Sequence, residues 1–181
     1  MIASVTGIRG RLRGSTWSDM SLEIERKFLV TSGAWRAAVR SSLSMRQGYL
    51  GLGARASVRV RIAADRAWLN LKSRVTGPVR HEFEYAIPLA DAEQMLATMT
   101  EGAVVEKVRH RVPWHGVEFE IDEFQGVNAG LVVAELELEA IDAPYPRPPW
   151  LGLEVTDDVR YYNSSLASDP WSRWGPAVEV S

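Results

Sequence analysis

Residues 117–124 read VEFEIDEF, with apolar and acidic side chains in strict alternation through Asp122. In an extended chain successive residues point to opposite faces, so Val117, Phe119 and Ile121 share one side while Glu118, Glu120 and Asp122 share the other. This is the period-two signature of a strand with two different environments.

The pattern continues outward in both directions. Residues 105–112, VEKVRHRV, set Lys107, Arg109 and Arg111 against Val108 and Val112, with Trp114-His115-Gly116 as the turn into 117–124. After the turn Asn128-Ala129-Gly130, residues 131–140, LVVAELELEA, set Glu135, Glu137 and Glu139 against Leu136 and Leu138. Toward the N-terminus, LEIERKFLV at 22–30 places Glu23, Glu25 and Lys27 opposite Ile24 and Phe28. MRQGYLGL at 45–52 follows, then SVRVRIA at 57–63, with Arg59 and Arg61 opposite Val58, Val60 and Ile62. AWLNLKS at 67–73 opposes Asn70 and Lys72 to Leu69 and Leu71, and HEFEYAI at 81–87 opposes Glu82 and Glu84 to Phe83 and Tyr85. Turn residues at Asp65 and Thr76-Gly77-Pro78 keep the connections short, which implies about eight mostly antiparallel strands.

Two intervals predict helices: 32–44, and 89–100, where Asp91 is placed to cap and Met95, Leu96 and Met99 recur at helical spacing. APYPRPPW at 143–150 is a Pro-rich strap that a central strand cannot hold, and a short helix is expected after Thr156 or Asp157.

An antiparallel sheet with one charged face in water is the ordinary outcome of such alternation. Three features favour closure instead. Like charges cluster within single strands, whereas a solvated face intersperses signs. The helices need an apolar sheet face to dock on, and eight strands can close on themselves and remove both edges. The expected fold is therefore α+β and mainly β: a closed eight-stranded antiparallel barrel with flanking helices, its charged face lining a tunnel. Such a lining is costly to dehydrate unless the charges pair or bind ions, which points to a polyanion held by Lys and Arg together with a cation held by carboxylates.

The chain has 181 residues, 46% hydrophobic and 24% charged, with net charge -2, a balance that suits one soluble domain and gives no positive excess for nucleic acid. Without cysteine there are no disulfides or thiolate metal sites, and a cytoplasmic protein fits. Residues 1–20 carry Arg9, Arg11 and Arg13 but no apolar run for a signal peptide or membrane span; they read as a flexible extension, with Met20 an alternative start, ahead of a single domain over 21–181.

Glu23-x-Glu25-x-Lys27 resembles the opening motif of the CYTH superfamily, the triphosphate tunnel metalloenzymes. The resemblance runs from residue 22 to about 167 through Gln47-Gly48-Tyr49-Leu50, Arg59-x-Arg61, Leu71-Lys72-Ser73, Glu82-x-Glu84, Lys107-x-Arg109, Asp122-Glu123-Phe124, Glu135-x-Glu137, Pro148-Pro149-Trp150, Glu154-Val155-Thr156 and Arg160-Tyr161-x-Asn163. It looks most like the small bacterial members that resemble inorganic triphosphatases.

The resemblance implies a triphosphate in the tunnel with one or two ions of Mg²⁺ or Mn²⁺. By position, Lys27, Arg59, Arg61, Lys72, Lys107 and Arg109 would hold phosphates, and Glu23, Glu25, Asp122, Glu135 and Glu137 would bind metal directly or through water. Lys27 and Tyr49 would pair near the attacking water, with a packed strand aromatic the equal alternative for Tyr49. Glu82 and Glu84 would orient the phosphate-binding cations. Arg111, Glu118 and Glu139 would lie beyond the active layer, and the three histidines at the surface. Arg160 would either reach the tunnel or pair at a helix end, and the C-terminal Trp residues would pack outside the barrel.

The expected reaction is metal-dependent hydrolysis of inorganic triphosphate to diphosphate and phosphate, by a monomer or a homodimer acting on a small molecule without membrane or nucleic-acid partners. Its rivals are thiamine triphosphatase, nucleoside triphosphatase and class IV adenylate cyclase; Ser57, where thiamine-specific relatives place a Trp ahead of the Arg-x-Arg pair, weakens the first. A non-catalytic polyphosphate- or nucleotide-binding module is the alternative from another class.

Overall fold

Strands form at Ile24–Val30 (β1), Ser41–Leu52 (β2), Ala56–Ala63 (β3), Arg66–Ser73 (β4), Glu82–Ile87 (β5), Glu101–Trp114 (β6), Val117–Phe124 (β7), Val132–Leu138 (β8) and Leu151–Glu154 (β9). The structure, a computed structural model, describes residues 24–73 and 82–174, and of Glu82 the backbone alone. Residues 1–20 and Glu23 lie outside the described residues. All nine strands belong to one antiparallel sheet in the order β5-β4-β3-β2-β6-β7-β8-β1-β9.

The expected mainly-β antiparallel architecture is present, with two corrections. A ninth strand, β9, follows the Pro-rich strap; four residues are too few to display a period in the sequence. Among the described residues the sheet also runs between two edges, β5 and β9, rather than closing as eight strands. The outer edge of β1 is already satisfied: Val155 N donates to Lys27 O (2.8 Å), Thr31 N donates to Trp150 O (3.0 Å), and Lys27 N donates to Thr156 Oγ1 (3.0 Å).

The sheet is strongly curled. Tyr49 on β2 shares one core cluster with Val133 on β8, with Leu29 on β1 packed against it, although β6 and β7 intervene even between β2 and β8. In a flat sheet β1 and β2 would stand about 19 Å apart at the usual strand spacing.

The helices differ from expectation in extent. Interval 32–44 yields only a 3₁₀ turn at Gly33–Ala38, because β2 begins at Ser41, where its backbone pairs with Arg111 of β6. An α-helix does form at Leu89–Thr98 (α1), but Pro88 stands at its N-cap and Asp91 lies in its first turn. Asp158 caps a 3₁₀ turn at Val159–Tyr161, ahead of a short helix at Asn163–Ser168 (α2).

On the outer face, Phe28, Phe119, Ile121, Leu136 and Trp150 form one core with Trp35 from the 3₁₀ turn. α1 packs Ala92 and Leu96 against Val60, Ile62 and Ala67 to form another. A Cβ on Gly48 would collide with Thr100 and Leu96, so glycine there lets the end of α1 lie against β2. His110 departs from the surface expectation: its ring stacks on Trp35 at 5.0 Å, and Nδ1 lies 2.7 Å from Ser42 Oγ. Arg160 pairs with Asp158, and Trp171 and Trp174 pack against Tyr161.

Candidate active site

Strand register stacks the inner face into layers. Directly paired residues share a face, so the pairs Lys27 with Glu135, Glu25 with Glu137, Arg109 with Asp122, Lys107 with Phe124, Arg59 with Asn70, and Asn70 with Glu84 all line the same side. At one end the lining is apolar: Tyr49, Val105, Phe124, Leu131 and Val133 form a core that Leu166 and Ala167 of α2 cover. Gly102, at φ +80°, permits this closeness, since a Cβ there would stand 2.5 Å from the Ala167 carbonyl oxygen.

The charged layer follows directly. Lys107 is 2% exposed and donates to Asp122, which is fully buried. Arg109 holds the same carboxylate with two hydrogen bonds of 2.7 Å and also reaches Glu120 and Glu135. Lys27 donates to both Glu25 and Glu135. Glu135 therefore joins the cations of β1 and β6 across β7.

This arrangement sets the charge states. Burial works against the ionised Glu135, but Lys27, Arg109 and Lys107 outweigh it and hold its carboxyl well below the ordinary range. Burial likewise opposes the charge on Lys27, yet Glu135 and Glu25 raise its ammonium well above the usual lysine value. Glu25, whose side chain is 39% exposed, moves the other way, pushed up by partial burial and then by repulsion from Glu135. Lys107 is lowered by burial, which Asp122 offsets only in part.

Beside this layer stand the arms of β3, β4 and β5. Arg61 donates to Glu84 (2.8 Å), as does the fully buried Asn70 (2.7 Å). Tyr49 is 6% exposed; Gln47 Nε2 lies 3.5 Å from its hydroxyl, and Arg59 engages the same group. Burial raises the Tyr49 phenol, an effect that Arg59 opposes. Lys72 lies on this face, paired with the backbone of Glu82. Beyond Arg109 the face opens into a cleft of about 370 Å³ lined by Leu43, Met45, Arg61, Trp68, Arg111 and Glu120.

The structure thus brings together Lys27, Lys107, Arg109, Glu25, Asp122 and Glu135, with Arg59, Arg61 and Tyr49 facing them. Glu137 is exposed at the rim, opposite Glu25 in register. Among the described residues no three acidic or histidine side chains already share a metal-ligating point. Glu25 and Glu135 nonetheless converge on one point, now taken by the Lys27 ammonium, and such hard oxygen donors suit Mg²⁺ or Mn²⁺. Lys107 and Arg109 take both oxygens of Asp122, just as Lys27 and Arg109 take both oxygens of Glu135. Sequence reasoning gave no role to Glu120 or Asn163; Glu120 carried a signal in its alternation with Asp122, and Asn163 only its place in a motif.

The chain matches the CYTH domain family over residues 21–169. It belongs to the CYTH family. Among CYTH relatives, the inorganic triphosphatase of Acetivibrio thermocellus is 41% identical over 155 residues, covering 86% of this chain and 99% of that protein. The inorganic triphosphatase of Nitrosomonas europaea is 39% identical over 150 residues, covering 80% and 96%. The crystal structure of the inorganic triphosphatase NE1496 superposes with a TM-score of 0.64 at 35% identity, covering 80% of this CYTH chain and 93% of that one. Among the described residues no helix is long and apolar enough to cross a membrane.

Proposed function

We propose that this CYTH protein hydrolyses inorganic triphosphate to diphosphate and phosphate in a metal-dependent reaction, inside a tunnel walled by the curled sheet. The observation that carries the reading is the single layer in which Glu135 links Lys27 to Arg109 while Arg59 and Arg61 face it. Relatives named inorganic triphosphatase match nearly their full lengths to this chain. A polyanion entering such a layer is met by preorganised donors, which is most of what phosphoryl transfer asks of a protein.

In this reading Arg59, Arg61, Lys72, Lys107 and Arg109 bind phosphate oxygens, and the permanent charge and forked donors of Arg suit the non-terminal groups. Asp122 fixes Lys107 and Arg109 in place. Glu25, Glu135 and Glu137, joined by Glu23, hold Mg²⁺ or Mn²⁺. A divalent cation held there by these carboxylates would supply positive charge for the phosphate oxygens and lower the pKa of a bound water. Lys27, released from the carboxylates, acts as an ammonium on the terminal phosphate, and Tyr49 with Arg59 orients the groups beside the attacking water. Glu82 joins Glu84 in aligning the arm cations.

The test is a panel of inorganic triphosphate, ATP and thiamine triphosphate, each with Mg²⁺ and with Mn²⁺. Turnover of inorganic triphosphate at least tenfold above the organic substrates is expected. Tight binding of all three without turnover would establish a binding module instead.

A further inference from the structure

We propose that Asn163 is a positioning residue that fixes the Lys107 ammonium, making α2 part of the triphosphate site and not only its cover. The inference rests on the triphosphatase reading and deepens it. Lys107 Nζ is held from two sides, by Asp122 of the neighbouring strand and by Asn163 Oδ1 at 3.3 Å, and it lies 5.5 Å from the centre of the Phe124 ring. A lysine side chain is long and carries a compact charge, so a single carboxylate leaves it free to pivot. A second acceptor on another element removes that freedom.

The chemistry of the acceptor matters. Asp122 is already shared between Lys107 and Arg109. A second carboxylate would cancel the positive charge a phosphate is to meet, whereas an amide oxygen accepts from the ammonium and leaves its charge intact.

The anchor is itself immobile for reasons unrelated to Asn163. Leu166 and Ala167 are buried, Asn128 Nδ2 donates to Leu166 O (3.4 Å), Trp171 N donates to Asn128 Oδ1 (2.8 Å), and Tyr162 OH donates to Thr156 O (3.1 Å). Removing the Asn163 amide therefore removes a constraint on Lys107 while α2 stays seated.

The experiment is a double-mutant cycle on Asn163→Ala and Lys107→Ala in the full chain, reading kcat and KM for inorganic triphosphate together with melting temperature. Asn163→Ala should raise KM at least fivefold with kcat within twofold, and adding it to Lys107→Ala should change KM by less than twofold. A residue that only seats α2 would instead have the same effect in both backgrounds, and that result overturns the proposal, as does an unchanged KM. Asn163→Leu, similar in size but without an acceptor, should reproduce the KM effect; failure of both Asn163 variants to fold would make Asn163 structural and also overturn it. A wild type inert toward triphosphate defeats the underlying reading too, whereas an active wild type with a strictly additive cycle defeats the role of Asn163 alone.

Discussion

Arg109 grips the fully buried carboxylate of Asp122 with two hydrogen bonds of 2.7 Å. A buried charge that loses its partner costs far more than the pair contributes, because the survivor keeps its desolvation penalty. Asp122→Asn leaves Lys107 and Arg109 without their shared anion and should destabilise the fold by about 3–5 kcal/mol. The denaturation midpoint, followed by tryptophan fluorescence, checks this; an unchanged midpoint would mean that water or Glu120 takes over the pairing.

Glu25 should show the opposite sign. A carboxyl raised in the folded state binds its proton more tightly there than when unfolded, so folding gains stability as the pH falls through the folded value and is penalised at neutral pH. With partial burial and Glu135 raising it, Glu25→Gln should leave the metal-free protein about as stable as wild type at pH 7, while losing most metal-dependent turnover. Calorimetry with chelator present measures the first and phosphate release the second. A large drop in melting temperature would show that Glu25 serves to hold Lys27 rather than a cation.

Lys27 and Tyr49 should not titrate in the working range. The carboxylates raise Lys27 despite its burial, and burial raises Tyr49. For a lysine raised in this way, the ion-pair contribution is complete below the unfolded value of about 10.4 and is lost only as the pH climbs through the folded one. Lys27→Ala should lower kcat by a factor of about 10² and Tyr49→Phe by about tenfold, whereas Lys72→Ala should act mainly on KM. Between about pH 6 and pH 9 the kcat profile of Tyr49→Phe should keep the wild-type shape. A limb that moves with the substitution would make the phenol a proton carrier.

Gly102 is the hinge of the packing between β6 and α2. Alanine there must adopt a φ of +80° and bring its Cβ to 2.5 Å from the Ala167 carbonyl, so α2 has to shift. Gly102→Ala should cost about 1–3 kcal/mol and should raise KM for triphosphate in parallel. A stability loss with KM unchanged would separate α2 from the site.

Legibility in the amino-acid sequence depends on repetition. Strands of six residues or more display their two faces, so alternation alone places Arg59 with Arg61, Lys107 with Arg109, and Glu135 with Glu137 on one side. It cannot place β9, whose four residues hold no period. Interval 32–44 reads as a longer helix than the 3₁₀ turn at Gly33–Ala38 for a related reason: the serines at the start of β2 give no apolar alternation, and their strand character comes from pairing with β6. The ion pairs among β1, β6, β7 and β8 are illegible. Alternation puts Asp122 on the same face as Glu135, but only register shows that Asp122 sits beside Arg109 while Glu135 sits beside Lys27, where it converges with Glu25.

Among the described residues, Leu166 and Ala167 cover the apolar end of the inner face, and the cleft beside Trp68 and Arg111 is an open approach to the cations. With that end covered, on the triphosphatase reading substrate and product would share this approach. Diphosphate must leave before the next triphosphate arrives, and it should inhibit competitively. A long phosphate polymer cannot be threaded through such a dead end; it can offer only its terminus, and the depth of the recess becomes a ruler for how many phosphate groups reach the cations.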